Sequence, residues 1–377
     1  MTVPSIGPSI GPLAGYTVGV TAARRADELG ALLTRRGASV QFGPAIRLIP
    51  LADDEDLLRQ TRALIEVPAD VVVATTGIGF RGWVEAAEGW GLGEQLLAAL
   101  ARSTVLTRGP KAKGAVRAAG LVEAWAPASE ASAELLEHLL DHGVAGKRIA
   151  VQLHGEPLRD FVDALRCAGA EVVEVPVYRW EGPADPAPLS RLLDGLVAGS
   201  IDALTFTSAP AAASVLRAAG DRLDEVLDAL RYRVLVVCVG PITATPLAHV
   251  GVPVIQPARA RIGALVRELA VALPARAPRV SVGGVSLELR GQAVVVDGDL
   301  RSVPPAPMAV LRALTTDPGR VLSRRVLAGV LRRHSGREDT VDAHAVETAV
   351  GRLRAALGTP NLVTTVVKRG YRLAVEH

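Results

Sequence analysis

The chain has 377 residues, 49% of them apolar and 21% charged, and carries a net charge of +3. That length exceeds one ordinary hydrophobic core and points to two or three domains. No unbroken apolar run is long enough to cross a bilayer, and Met1 to Gly15 lacks a basic region followed by an apolar stretch, so a membrane span and a signal peptide are not expected and the chain reads as cytoplasmic. Two cysteines, Cys167 and Cys238, cannot build a metal cluster, and their apolar surroundings read as those of small buried thiols. No disulfide framework, metal or cofactor is implied.

Along the first 270 or so residues, apolar runs such as Val71-Val72-Val73, Ile149-Ala150-Val151 and Val234 to Val237 alternate with amphipathic stretches. This alternation predicts an α/β fold with parallel sheets flanked by helices. The segment also repeats itself. Gly37-Ala38 and Gly169-Ala170 lie 132 residues apart, Thr75-Thr76 and Thr207-Ser208 also 132, and Gly109-Pro110 and Gly240-Pro241 131. Three landmarks at nearly one spacing indicate duplication into two similar lobes facing a cleft. Thr75, Thr76, Thr207, Ser208 and Thr243 then fall beyond strand ends, where open α/β sheets gather ligands; taken one residue at a time, an ordinary helix cap is the simpler reading of each. Lys111 and Lys113, next to Arg108, would welcome an anion, or lie in a solvated loop. The acidic pair Asp53-Asp54 is not followed by the strand-end aspartate and lysine of a phosphorelay receiver.

After Leu273 the texture changes to Pro274-Ala275-Arg276-Ala277-Pro278-Arg279, which reads as a linker over 274–279. Beyond it, Val282 to Leu289 and Ala293 to Val296 predict strands. Met308 to Leu314 then predicts a helix, and Ser323 caps a second one through Val326, Leu327, Val330 and Leu331. A polar loop, His334 to Asp339, leads to a third helix in which Val346, Val350, Leu353 and Leu357 recur at helical spacing. Gly358 stops it, and Val363 to Val367 with Tyr371 to Val375 predicts a hairpin. From Val280 onward there are 14 basic and 9 acidic side chains, a balance of +5, against 28 and 30 in the rest. Helix, turn, helix and hairpin on a basic segment make a winged DNA-binding module. Its candidate contacts are Arg324, His344, Thr348, Arg352 and Arg354 from the helices, and Thr365, Lys368 and Arg369 from the hairpin.

Leu300 to Leu373 resembles the effector domains of OmpR/PhoB-type response regulators. Asp317-Pro318-Gly319-Arg320-Val321-Leu322-Ser323-Arg324, Arg352-Leu353-Arg354 before Leu357-Gly358, and Thr365-Val366 with Gly370-Tyr371-Arg372 carry the likeness. Ala349 stands where that class usually has histidine, and Val367-Lys368-Arg369 replaces its Arg-Gly-x. The resemblance implies binding of double-stranded DNA as a homodimer on repeated half-sites.

Gly15 to Leu273 resembles uroporphyrinogen-III synthase, through Arg36-Gly37-Ala38 and its repeat, Val177-Tyr178-Arg179, Ala203 to Ser208 and Val239 to Ala244. That likeness implies two lobes joined by a two-strand connector, the first from about 15–48 plus 180–273, the second from about 49–179, with the winged module over 280–377. It also implies a cofactor-free cleft in which Tyr178 would donate a proton to the departing hydroxyl of hydroxymethylbilane. Gly109-Pro110-Lys111-Ala112-Lys113 departs from the Gly-x-x-Thr-Ala element expected there. The combined architecture resembles actinobacterial regulators of nitrate and nitrite assimilation. Three readings follow: a regulator sensing a small anionic or tetrapyrrole-related ligand, an active synthase with a regulatory tail, and a docking platform for a second regulator or RNA polymerase.

Overall fold

The computed structural model describes residues 10–50, 55–128, 131–155, 158–335 and 343–374; Asp53-Asp54, most of the loop from His334 to Asp339, and Val375 lie outside them. The chain begins with β1 (Thr17–Val20), α1 (Ala26–Thr34) and β2 (Ser39–Phe42), then leaves the first lobe at Ile46–Arg47. The second lobe runs β3 (Arg47–Pro50), α2 (Glu55–Glu66), β4 (Val71–Ala74), α3 (Gly77–Gly89), α4 (Gly93–Leu100), β5 (Thr104–Thr107), α5 (Pro110–Ala118), α6 (Ser132–Asp141), β6 (Arg148–Gly155), α7 (Arg159–Cys167) and β7 (Glu171–Glu181). Its sheet has the order β3-β7-β6-β4-β5, with only β3 antiparallel to its neighbour. The chain returns to the first lobe at Gly182 through α8 (Ala187–Ala198), β8 (Ala203–Phe206), α9 (Ala209–Ala219), α10 (Leu223–Tyr232), β9 (Leu235–Cys238), α11 (Pro241–His249), β10 (Val254–Ile255) and α12 (Ile262–Ala275). This sheet is parallel throughout, in the order β10-β9-β8-β1-β2.

Strands β4, β8 and β9 are buried along their whole length, which is why they read as unbroken apolar runs. Trp83 and Phe80 of α3 fill the core of the second lobe, and the Trp83 indole donates to Thr61 Oγ1 at 2.9 Å, so its polar end is satisfied. The duplication extends to side-chain chemistry. Asp70 Oδ2 accepts from the Arg148 backbone N–H at 2.8 Å, and Asp202, 132 residues on, accepts from the Thr17 N–H at the same distance. The Gly109 and Gly240 caps share an extended backbone, with φ of −177° and −178°.

Burial raises the Asp202 carboxyl to about 6, against the Thr17 N–H and the Arg312 guanidinium, which pull it down. A raised carboxyl favours the folded state only where it holds a proton that the unfolded chain has lost. Stability therefore falls as pH rises from about 4 to about 6. Asp202→Asn is expected to remove that dependence and to add about 1–3 kcal/mol at pH 7.5, read as a higher melting temperature. An unchanged or lower melting temperature would contradict this.

The C-terminal domain opens with an antiparallel sheet, β11 (Arg279–Val282), β12 (Val285–Arg290), β13 (Ala293–Val296) and β14 (Asp299–Ser302). Helices α13 (Pro305–Thr315), α14 (Arg324–Ser335) and α15 (Ala343–Leu357) follow, then the hairpin of β15 (Val363–Val366) and β16 (Gly370–Leu373). Met308, Leu311, Leu327, Val346, Val350 and Leu353 share one core beneath it.

Three expectations are corrected. The stretch from Val282 to Leu289 divides into two strands, because Gly283 and Gly284 both take positive φ and turn the chain, and β14 completes a sheet that was not foreseen. The linker is shorter than 274–279: α12 continues to Ala275, with Ala270 and Leu273 buried against the lobe, and β11 starts at Arg279. Cys167 is exposed, since the buried face of α7 is Phe161, Val162 and Leu165 and Cys167 lies off it. Cys238 is buried within β9, and burial pushes its thiol up to about 12.

Candidate functional site

The hydroxyl residues at the strand ends are engaged in the lobes' own structure. Thr75 Oγ1, buried, donates to the Gln152 carbonyl at 2.8 Å. Thr76 caps α3, accepting from the Gly79 N–H at 3.3 Å and from Gln152 Nε2 at 2.9 Å. In the other lobe Ser208 caps α9 by accepting from the Ala211 N–H at 3.4 Å, beside a half-buried Thr207, and Thr243 is buried in the first turn of α11. Lys111 is exposed. Lys113 instead pairs with Glu123 Oε1 at 2.7 Å. Arg117 shares that carboxylate, and the two cations hold Glu123 down at about 2. Lys113 is thus neutralised within its lobe rather than left open to an incoming anion, because the chain after α5 brings Glu123 back beneath the helix.

Tyr178 lines a cavity in the second lobe. About 570 Å³ is lined by Leu48, Ile78, Arg81, Glu85, Trp90 and Tyr178, among others. Tyr178 is buried and meets Trp180 edge-on at 5.5 Å. Gly155, at φ 85°, sits where a Cβ would strike the Trp180 ring, so a glycine there is what admits the aromatic pair. The cavity walls carry the Trp90 and Tyr178 rings, the Arg81 guanidinium and the Glu85 carboxylate. Arg81 and Trp90 were not foreseen; both lie on or just past the α3 face that starts at the Thr76 cap, and Trp90 is followed by a helix-ending Gly91 at φ 73°.

In the C-terminal domain the structure separates two groups of candidate contacts. Along α15, His344, Thr348 and Arg352 are exposed at successive turns, whereas Val346, Ala349, Val350 and Leu353 are buried. The Ala349 departure from the family pattern is thus a core position, away from the outward face. Lys368 and Arg369 are exposed at the hairpin tip, with Lys368 at φ 59°, the conformation that the family's usual glycine adopts freely.

The remaining candidates hold the module together. Arg354 donates to the Val363 carbonyl through Nε and to Thr365 Oγ1 through Nη2, both at 2.8 Å. Arg324, the first residue of α14, pairs with Glu347 at 3.3 Å. Both guanidiniums lie over the Tyr371 ring, 5.3 Å for Arg324 and 5.8 Å for Arg354. Arg354 and Thr365 therefore differ from the expected free contacts: the pair ties the hairpin to α15 and fixes where its tip stands. Nothing in the helical spacing signals this, since the partners belong to a strand that folds back.

Comparison with known proteins agrees with both halves. Residues 27–267 match the family of uroporphyrinogen-III synthase HemD, and residues 301–373 match that of transcriptional regulatory proteins, C terminal. An uncharacterized Bacillus subtilis protein, YjjA, is 29% identical over 256 residues, 67% of this chain and 94% of its own length. A putative uroporphyrinogen-III synthase of Methanothermobacter thermautotrophicus is 32% identical over 139 residues, 37% of this chain and 54% of its length. The crystal structure of a mutant uroporphyrinogen III synthase from the extremely thermophilic bacterium Thermus thermophilus aligns with a TM-score of 0.57 at 29% identity, covering 68% of this chain and 98% of that one. No helix among the described residues is long and apolar enough to cross a membrane. The chain belongs to the uroporphyrinogen-III synthase HemD family, and it carries behind that domain the DNA-binding C-terminal domain of a transcription regulator.

Proposed function

We propose that this protein regulates transcription by binding double-stranded DNA as a homodimer through α15 and the hairpin, under control of a small anionic, tetrapyrrole-related ligand bound by its synthase-like lobes. Nitrate and nitrite assimilation genes are the proposed targets: nitrite reduction uses sirohaem, which is made from uroporphyrinogen III. The observation that carries the DNA reading is the outward row of His344, Thr348 and Arg352 on a domain with a charge balance of +5. Such a row can enter a major groove, while Lys368 and Arg369 meet phosphate. In the second lobe, Arg81, Trp90 and Tyr178 supply the ligand contacts. Contacts with a second regulator or RNA polymerase belong to this reading as the means by which bound DNA is acted on. Calorimetry with uroporphyrinogen III should show binding to the wild type and at least tenfold weaker binding to Arg81→Ala; no heat with either would refute ligand control.

The buried Tyr178 at the cavity wall favours a second reading, an active synthase with a regulatory tail. In it the Tyr178 hydroxyl protonates the departing hydroxyl of hydroxymethylbilane before ring closure. Incubating the purified protein with hydroxymethylbilane separates the two. The regulator reading expects no uroporphyrinogen III above the spontaneous background. Clear formation of it, lost in Tyr178→Phe, would establish the synthase instead.

A further inference from the structure

The first lobe and the DNA-binding domain belong to one compact unit, and a cavity of about 390 Å³ lies where they meet. Tyr16, Asp202 and Arg233 come from the lobe, Arg276 from the connector, and Arg312 and Thr316 from the end of α13. The junction is built closely around this space. The β12–β13 turn enters the lobe at Gly291, where a Cβ would collide with the Asp202 carboxylate and the Gly15 carbonyl, and the Gln292 N–H donates to that carbonyl at 3.2 Å. Arg312 Nη2 donates to the Gly291 carbonyl at 2.7 Å.

Two features of this space bear on what it could hold. Its lining carries three guanidiniums against one carboxylate, and the Arg276 side chain has no hydrogen bond or ion pair among the described residues. Tyr16, only 4% exposed, has a buried hydroxyl without a hydrogen-bond partner among them. Burial, opposed by Arg290, pushes that phenol up to about 12, so it remains a donor. A buried donor is rarely left unmade, and a ligand oxygen would satisfy it.

We propose that this junction is a binding site for a small multivalent oxyanion, a phosphate ester or a dicarboxylate, held by Arg233, Arg276, Arg312 and the Tyr16 hydroxyl. The volume suits a metabolite rather than a polymer, and paired guanidiniums suit carboxylate and phosphate alike. The bound anion touches α13, which packs on α14 and α15, so its presence bears directly on the DNA-contacting helix. This goes beyond ligand binding at the Tyr178 cavity and does not depend on it.

Isothermal titration of the full chain at pH 7.5 with inorganic phosphate and with succinate provides the test. One of the two is expected to bind at one site per chain, which identifies the phosphate or the dicarboxylate class. Its affinity should fall at least tenfold in Arg276→Ala and again in Tyr16→Phe, and stay unchanged in Arg81→Ala. The conservative loss of one hydroxyl in Tyr16→Phe and the exposed position of Arg276 keep both variants folded. At matched ionic strength, the bound anion should change affinity for a target promoter more than threefold. Lack of binding by both anions, or junction variants that both bind as tightly as the wild type, would overturn the site; unchanged DNA affinity would overturn its effector role.

Discussion

Arg352→Ala is expected to abolish specific retardation of the protein's own promoter fragment while leaving the melting temperature unchanged. Arg352 lies one turn beyond Thr348 and two beyond His344 on the exposed face of α15, and among the described residues it makes no hydrogen bond or ion pair. Removing it takes nothing from the core. A guanidinium paired with a guanine edge is worth about 1–3 kcal/mol, roughly 5- to 150-fold in affinity. What remains is phosphate binding from Lys368 and Arg369, which tolerates any sequence and weakens steeply as salt releases counterions. Arg354→Ala is the contrasting variant. It severs the bonds to Val363 and Thr365, so it should lower the melting temperature and loosen the hairpin as well as weaken DNA binding. If Arg352→Ala retained full discrimination against competitor DNA, α15 would lose its assignment as the reading helix.

Gly370→Ala is expected to destabilise the DNA-binding domain by about 3 kcal/mol or more and to end DNA binding with it. Gly370 has φ 137°, where any side chain is strained, and a Cβ there would drive into the Leu322 carbonyl. That carbonyl accepts from the Tyr371 N–H at 3.0 Å, and the Leu322 N–H donates back to the Tyr371 carbonyl at 2.8 Å. The clash therefore strikes backbone that cannot rotate away, at the point where the hairpin is pinned to the start of α14. Tyr371 is also the ring under Arg324 and Arg354, so losing its position releases both guanidiniums. A calorimetric trace in which the variant melts as the wild type does would contradict this account of the hairpin.

Local patterns were legible where a residue's role is set by its neighbours in the chain. Unbroken apolar runs gave the buried parallel strands, the 132-residue spacing gave two lobes, and the Ser323 to Arg324 start and the Gly358 stop bounded the helices of the DNA-binding domain. Hidden roles were those fixed by distant partners. Lys113 looks like a free cation until Glu123 returns to it, and Arg354 looks like a DNA contact until β15 folds against α15. Asp202 and Gly291 meet at the junction although nothing in either segment announces the other. The strand ends show a third case. Thr76 and Ser208 match in the repeat because both cap helices, so conformation alone accounts for a correspondence that also fits ligand binding.

Mapping genomic binding sites of the wild type beside Arg352→Ala tests most directly the proposed reading of specific DNA sequence by α15. The proposed function expects discrete sites with repeated half-sites upstream of nitrate and nitrite assimilation genes, present for the wild type and lost for the variant. Identical maps for the two proteins, or wild-type enrichment no greater than that of randomly chosen DNA, would contradict it.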